Sequence, residues 1–175
     1  MADALISDTP WLDRTATRRE CFMSESGGIS YTYGQGRGVR TYQSVPYTPI
    51  VRDVLWGVNN LLATRGYPTP LNGCFLNCYM DEHQHLGWHA DDFERMDHGY
   101  PIVSVSFGQP REIWWRLRGA TGQTPSDCRK LLESGSVFVM PPGMQNTHEH
   151  RIPKGDRLMS PRVSLTFRRF LPDPE

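Results

Sequence analysis

The chain has 175 residues, 38% hydrophobic and 22% charged, enough for one domain with a real core and too few for two comfortable ones. Nineteen basic residues balance nineteen acidic ones, which argues against a strong, sequence-blind grip on polyanions but leaves room for a local basic patch. Composition excludes a disordered chain, and the absence of a long apolar run excludes a membrane-spanning helix.

Residues 1–25 predict an irregular arm with a basic cluster, Arg14, Arg18 and Arg19. Its first eleven residues hold two aspartates and no basic residue, unlike the start of a secretory leader. Residues 26–45 are rich in Gly, Ser, Thr and Tyr around Ser30-Tyr31-Thr32-Tyr33-Gly34, a composition that suits short strands or a hairpin. From about Pro49 to Ala63 the apolar residues Ile50, Val51, Val54, Leu55, Val58, Leu61 and Leu62 follow the helical period. Thr48 can cap that helix, Pro49 suits its first turn, and Gly66 and Pro68 end it. Strand-like runs follow at Cys74–Met80, Ile102–Phe107, Glu112–Leu117, Ser136–Met140 and Arg162–Phe170. The expectation is a mainly β sandwich or barrel with a flanking helix. Cys21, Cys74, Cys78 and Cys128 form no Cys-x-x-Cys pair and predict reduced thiols in an intracellular protein, cytoplasmic or, in a eukaryote, nuclear.

Two features carry chemistry. His89 and Asp91 stand two apart, so in an extended segment both project to one side. Ferrous iron that activates oxygen wants two neutral imidazoles and a carboxylate on one face, and catalytic zinc accepts a similar set. A third ligand must come from a distant stretch, for which His148 and His150 both qualify. His83, His85 and His98 make histidine common in this region, so His-x-Asp alone decides little. The second feature is Arg162–Arg168, where Arg162, Ser164, Thr166 and Arg168 share one strand face and Val163, Leu165 and Phe167 the other. The two arginines are about 20 Å apart along a strand and must lean inward to clamp one small dicarboxylate. Asn77 and Tyr79 can add an amide and a phenol to the same ligand.

Taken in order, Leu76-Asn77-Cys78-Tyr79, Gly87-Trp88-His89-Ala90-Asp91-Asp92, the run Pro101–Gly108, His150-Arg151-Ile152-Pro153 and the run Pro161–Arg168 resemble the AlkB family of Fe(II)- and 2-oxoglutarate-dependent nucleic-acid dealkylases. The match spans roughly 72–170, with an echo in Tyr31-Thr32-Tyr33-Gly34. The resemblance implies one domain over 1–175: a double-stranded β-helix (jelly roll) over 72–170 and a nucleotide-recognition arm and hairpin over 1–45. It implies His89, Asp91 and His150 as iron ligands, with His150 preferred to His148 because an Ile-Pro segment follows it. It implies 2-oxoglutarate held by Asn77, Tyr79, Arg162 and Arg168, with Arg162 on the distal carboxylate and Arg168 on the one beside iron.

The implied activity is oxidative removal of N-alkyl groups, such as those of N1-methyladenine and N3-methylcytosine, from DNA or RNA. Dioxygen and 2-oxoglutarate are consumed; succinate and formaldehyde are released. A target base must leave its stack to reach iron. By the same resemblance Tyr33 stacks on it, opposite the His89 imidazole. Asp92 and Glu94 are candidates for favouring a cationic base, because the position between them, acidic in relatives, is Phe93 here. Arg14, Arg18, Arg19, Arg37 and Arg40 are candidates for phosphate contacts. The expected partner is alkylated DNA or RNA, with no membrane and no obligatory protein partner. The alternative keeps the cofactors and changes the substrate to a protein, lipid or small molecule, and a binding module without catalysis is the third reading.

Overall fold

The computed structural model describes residues 1–12, 17–33, 39–91, 93–125 and 128–171, apart from the side chains of Tyr31 and Tyr33. In chain order the described elements are α1 (Ala2–Asp8), β1 (Arg19–Ser24), β2 (Ser30–Tyr33), β3 (Arg40–Gln43), β4 (Val45–Pro46), α2 (Pro49–Thr64), β5 (Gly73–Tyr79), β6 (Leu86–His89), β7 (Ile102–Gly108), β8 (Arg111–Leu117), β9 (Arg129–Leu132), β10 (Val137–Met140), α3 (Met144–Thr147), β11 (His148–Ile152) and β12 (Arg162–Arg168). They assemble into a six-stranded sheet of order β10-β7-β12-β5-β1-β4, a four-stranded sheet of order β6-β11-β8-β9, and the hairpin β2-β3. Two facing sheets from one chain are the jelly roll expected of the sequence.

The long helix forms as its pattern requires. Thr48 Oγ1 accepts from the Val51 amide at 3.4 Å, and Pro49 occupies the first turn. The helix stops where the amide of Arg65 reaches back to the carbonyls of Leu61 and Leu62 and Gly66 turns into the left-handed region at φ +74. Val51, Leu55, Val58 and Leu62 form its buried stripe.

That stripe packs on one face of the six-stranded sheet, against Cys21, Met23, Cys74, Leu76, Cys78, Val103, Val105, Val163, Leu165 and Phe167. Each such side chain contributes roughly 1.5–3 kcal/mol on burial. The other face of the same sheet is set by register. Tyr79 opposes Arg162, Asn77 opposes Ser164, Ser106 opposes Ser164 from the other side, and Glu20 opposes Asn77. Directly opposed residues share a face, so this face carries a polar band towards the four-stranded sheet. Every residue of β12 is buried, because the helix covers one side and the second sheet the other.

The sequence expectation of an irregular arm over residues 1–25 gives way at two places. Ala2–Asp8 is helical, and Arg19–Ser24 is an interior strand of the six-stranded sheet, antiparallel to β5 and parallel to β4. Residues 20–24 are all buried, so the strand shows no polar–apolar alternation to announce it. The hairpin is as expected, with Tyr31 opposite Tyr42 and Tyr33 opposite Arg40. No described helix is long and apolar enough to cross a membrane, and all four cysteines are free.

Candidate active site

His89 ends β6 and His150 lies on β11, and the two are direct register partners. Their rings sit 4.2 Å apart, centroid to centroid. Asp91 follows the end of β6, with its Oδ1 3.5 Å from His89 Nε2. One ligand atom from each of His89, Asp91 and His150 lies within 4.8 Å of the others. His148 is absent from this group; its Nδ1 pairs with Thr147 Oγ1 at 2.8 Å instead.

The protonation states suit a metal. Burial, reinforced by the neighbouring His89, pushes His150 down to about 3. Burial likewise lowers His89, against the pull of Asp91. Burial alone would raise the Asp91 carboxyl, but Arg168 and the two histidines outweigh it and hold it below the usual carboxylate range. Two neutral imidazoles and an ionised carboxylate result. His89 Nδ1 lies 2.9 Å from the Gly87 carbonyl. A carbonyl can only accept, so the proton sits on Nδ1 and Nε2 carries the lone pair that a metal would use.

The second carboxylate oxygen of Asp91 is held by Arg168, through Nη2 at 2.5 Å and Nε at 3.2 Å. The Asp91 amide donates to Gln145 Oε1 at 2.9 Å, and Gln145, on the short helix α3, is itself buried. Asn77, His89, Asp91 and Arg168 line one narrow cleft with Arg18, Tyr42, Phe75 and Leu86.

Arg162 lies further along β12 and is 1% exposed. Its Nη2 donates to Ser106 Oγ at 2.8 Å, and its guanidinium carbon is 5.5 Å from the centre of the Tyr79 ring. Its Nε and Nη1 are buried and find no hydrogen-bond partner among the described residues. Burial draws this guanidinium down to about 10. A fully buried fork with two idle donors fits a carboxylate ligand better than it fits an empty protein interior.

The remaining sequence candidates are placed as follows. Arg18 points into the cleft: its Nε donates to Asn77 Oδ1 at 2.7 Å, and its Nη2 pairs with Glu20 Oε1 at 2.7 Å. Arg40 pairs with Glu20 Oε2 at 3.3 Å, and the Tyr42 hydroxyl donates to the same oxygen at 3.0 Å. Two arginines expected at phosphates are therefore bound to one buried glutamate, whereas Arg19 is exposed at the start of β1. Glu94 is exposed on a turn. Phe93 is buried, stacked on Phe170, with the Arg168 guanidinium 5.5 Å from its ring centre. Arg14, Arg37, Asp92 and the Tyr33 side chain lie outside the described residues.

Four site-building residues were missed by sequence reasoning: Glu20, Tyr42, Arg111 and Gln145. Arg111, 2% exposed, donates to the carbonyls of Asp81, Gln84 and Pro153 and so ties the turn before β6 to the end of β11. Each of these residues meets its partner through the fold alone, so no local pattern marks it; the Asp91–Gln145 bond spans 54 positions.

Residues 13–168 match the family model of the 2OG-Fe(II) oxygenase superfamily. The chain is 33% identical to mouse DNA oxidative demethylase ALKBH2 over 83% of its own length and 59% of that protein. It is 30% identical to the mouse alpha-ketoglutarate-dependent dioxygenase alkB homolog 3 over 98% of its own length and 61% of that protein. A plant relative, Arabidopsis thaliana DNA oxidative demethylase ALKBH2, is 26% identical over 88% of the chain and 53% of that protein. The chain thus spans about three fifths or less of the length of these relatives.

Proposed function

Because the chain belongs to the 2OG-Fe(II) oxygenase superfamily, in its AlkB family, we propose that it oxidatively removes N-alkyl groups from bases of DNA or RNA. Its cofactors are Fe(II), 2-oxoglutarate and dioxygen. The observation that carries the reading is the His89–Asp91–His150 group, whose His89 and Asp91 line a cleft with Asn77 and Arg168, backed by the half-paired Arg162 fork.

When bound, iron with 2-oxoglutarate and dioxygen supplies an oxidation in which the co-substrate leaves as succinate and carbon dioxide and an N-methyl group leaves as formaldehyde. This chain's residues do the rest. His89, His150 and Asp91 Oδ1 hold the metal in charge states set in advance by burial and by Arg168. Gln145 fixes the backbone at Asp91, and the Gly87 carbonyl fixes the His89 tautomer. Arg162 takes the far carboxylate of the co-substrate; its Nε and Nη1 are the donors on offer. Arg168 takes the near carboxylate, Tyr79 stands against the Arg162 fork, and Asn77 contributes its amide.

For the base, the reading assigns Tyr33 to stacking, Asp92 and Glu94 to favouring a cationic ring, and Arg19 and Arg37 to phosphates. It assigns Arg18 and Arg40 to the substrate side through their shared partner Glu20. The free, mostly buried cysteines support action inside the cell. The test is a panel of single- and double-stranded DNA and RNA oligonucleotides carrying N1-methyladenine or N3-methylcytosine, incubated with Fe(II) and 2-oxoglutarate. Demethylated base and formaldehyde in equal amounts are the expected result. Silence with every nucleic acid, alongside measurable 2-oxoglutarate turnover, would refute it in favour of a protein, lipid or small-molecule substrate.

A further inference from the structure

The outer face of the four-stranded sheet carries an alternation of arginine and tryptophan that the iron chemistry does not use. Across the strands in order lie Trp88 on β6, Arg151 on β11, Trp114 on β8 and Arg129 on β9. Arg151 and Trp114 are register partners, as are Trp114 and Arg129. The Arg151 guanidinium carbon is 4.9 Å from the Trp88 ring centre and 4.2 Å from that of Trp114, and Arg129 is 4.0 Å from Trp114. Arg116 adds a further contact to Trp88 at 4.0 Å. Neighbouring residues on a strand point to opposite faces. The same strands therefore turn His89 and His150 inward and Trp88 and Arg151 outward.

The charges on this face are unevenly neutralised. Glu149 takes Arg116 at 2.6 Å, and Glu112 accepts the Trp114 indole N–H at 2.7 Å. Among the described residues Arg129 has one hydrogen-bond acceptor, the carbonyl of Thr124. Arg151 makes no hydrogen bond or ion pair among the described residues, and the Nε atoms of both Arg129 and Arg151 are buried without an acceptor. These two guanidiniums share a cleft of about 480 Å³ with Trp88, Trp114 and the 122–124 segment. An arginine laid on an indole keeps its in-plane N–H edge available. That edge matches the oxygens of a phosphate, and the stacking holds it in place before any ligand arrives. Arg151 and Arg129 stand two strands apart, roughly 10 Å at the backbone, so the cleft offers repeated cationic forks rather than one point charge.

We propose that this cleft binds phosphate groups of a nucleic-acid strand, with Arg151 and Arg129 as the donors and Trp88 and Trp114 as their supports. The inference rests on the nucleic-acid reading of the substrate and adds a second contact region, on the reverse of the strands that carry the metal histidines. It also reconciles a neutral chain with a polyanionic partner, since the positive charge is concentrated rather than abundant.

Binding of a fluorescently labelled, unmethylated single-stranded oligodeoxynucleotide to the full chain, measured by anisotropy across a salt series, tests this. The Arg129→Gln/Arg151→Gln double variant is expected to bind roughly tenfold or more weakly, and its log K against log salt slope to be shallower by about 1.4, about 0.7 for each lost phosphate contact. Wild-type protein provides a check independent of the variant's folding: phenylglyoxal modification read by peptide mass spectrometry should show the oligonucleotide protecting Arg129 and Arg151. An unchanged slope with both arginines unprotected overturns the inference. So does equal protection by adenosine monophosphate at the same phosphate concentration, which would make this a free-nucleotide site, or by polyglutamate, which would make it an acidic-peptide site. Protection without turnover of any methylated oligonucleotide would leave the phosphate site standing and refute the demethylase reading instead.

Discussion

Replacing Arg162 by methionine separates the burden of a buried, half-paired cation from its use. In the structure burial draws the guanidinium well below its ordinary value, to about 10. At about 1.4 kcal/mol per pH unit this is on the order of 3 kcal/mol by which folding disfavours the charged side chain. For a base with a lowered pKa the penalty is in full force below about pH 10 and fades as pH rises above it towards the ordinary arginine range. Methionine removes it while filling much of the volume. The substitution also loses the bond to Ser106, worth about 1 kcal/mol, and part of the contact with Tyr79. The net expectation without ligand is a gain of about 1–2 kcal/mol, or roughly 2–8 °C in Tm for a chain of this size. With redox-silent Mn(II) and 2-oxoglutarate the order should reverse. Wild type gains about 2.7 kcal/mol at a hundredfold excess over Kd, whereas the variant has lost a charge-assisted fork and binds on the order of a hundredfold more weakly. Differential scanning fluorimetry with and without co-substrate reads both halves. A variant that is destabilised without ligand, yet stabilised by 2-oxoglutarate as strongly as wild type, would show that Arg162 is structural and that the clamp lies elsewhere.

His89→Ala should abolish metal binding and turnover with little change in metal-free stability, whereas Asp91→Ala should also lower Tm, because it strands the buried Arg168 cation at about 3–5 kcal/mol; calorimetric metal titration and thermal melts separate the two. His148→Ala should bind metal as wild type does, since His148 stands outside the ligand group; loss of binding would reassign the third ligand. Gln145→Ala should weaken metal binding by roughly 10–100-fold by releasing the Asp91 backbone, and unchanged affinity would reduce Gln145 to a packing residue. Arg168→Lys should keep metal binding near wild type but raise the 2-oxoglutarate requirement at least about tenfold, because a point charge cannot fork between Asp91 and a ligand carboxylate; an unaltered requirement in steady-state assays would remove Arg168 from the co-substrate site.

How much of this was legible in the sequence depended on whether a residue's role could be seen from its neighbours. Helix α2 could be read because capping, period and stop are all local, and the structure extends it by a single residue to Thr64. Strands β5, β7, β8, β10 and β12 showed as runs bounded by Gly and Pro. Strands β1, β6 and β11 did not. β1 is buried on both faces, and β6 and β11 put tryptophan, glutamate and arginine outward and histidine inward, which reads as loop composition. The metal group was legible as a set of residue types in order; spacing alone left His148 and His150 open, and only the Ile-Pro segment of the family resemblance favoured His150. Both are on β11 and two apart, and in the structure the register of β11 on β6, which sets His150 against His89, is what separates them. Phe93 looked like a departure at a polar position; its physical place is a core aromatic between Phe170 and Arg168.

The two carboxylate oxygens of Asp91 have different partners. Oδ1 faces His89 and the space between the imidazoles, while Oδ2 is taken by both Nη2 and Nε of Arg168. A metal can therefore be held through Oδ1 without disturbing Arg168. A co-substrate carboxylate cannot arrive the same way, because it must compete with Asp91 for the Arg168 fork and with Asn77 for space that Arg18 now fills. Arg162 Nε and Nη1 meet no such competitor among the described residues. On the proposed reading the two imidazoles and Oδ1 would hold a metal, Arg162 would take the distal carboxylate, and Arg168 would be shared between Asp91 and the near one.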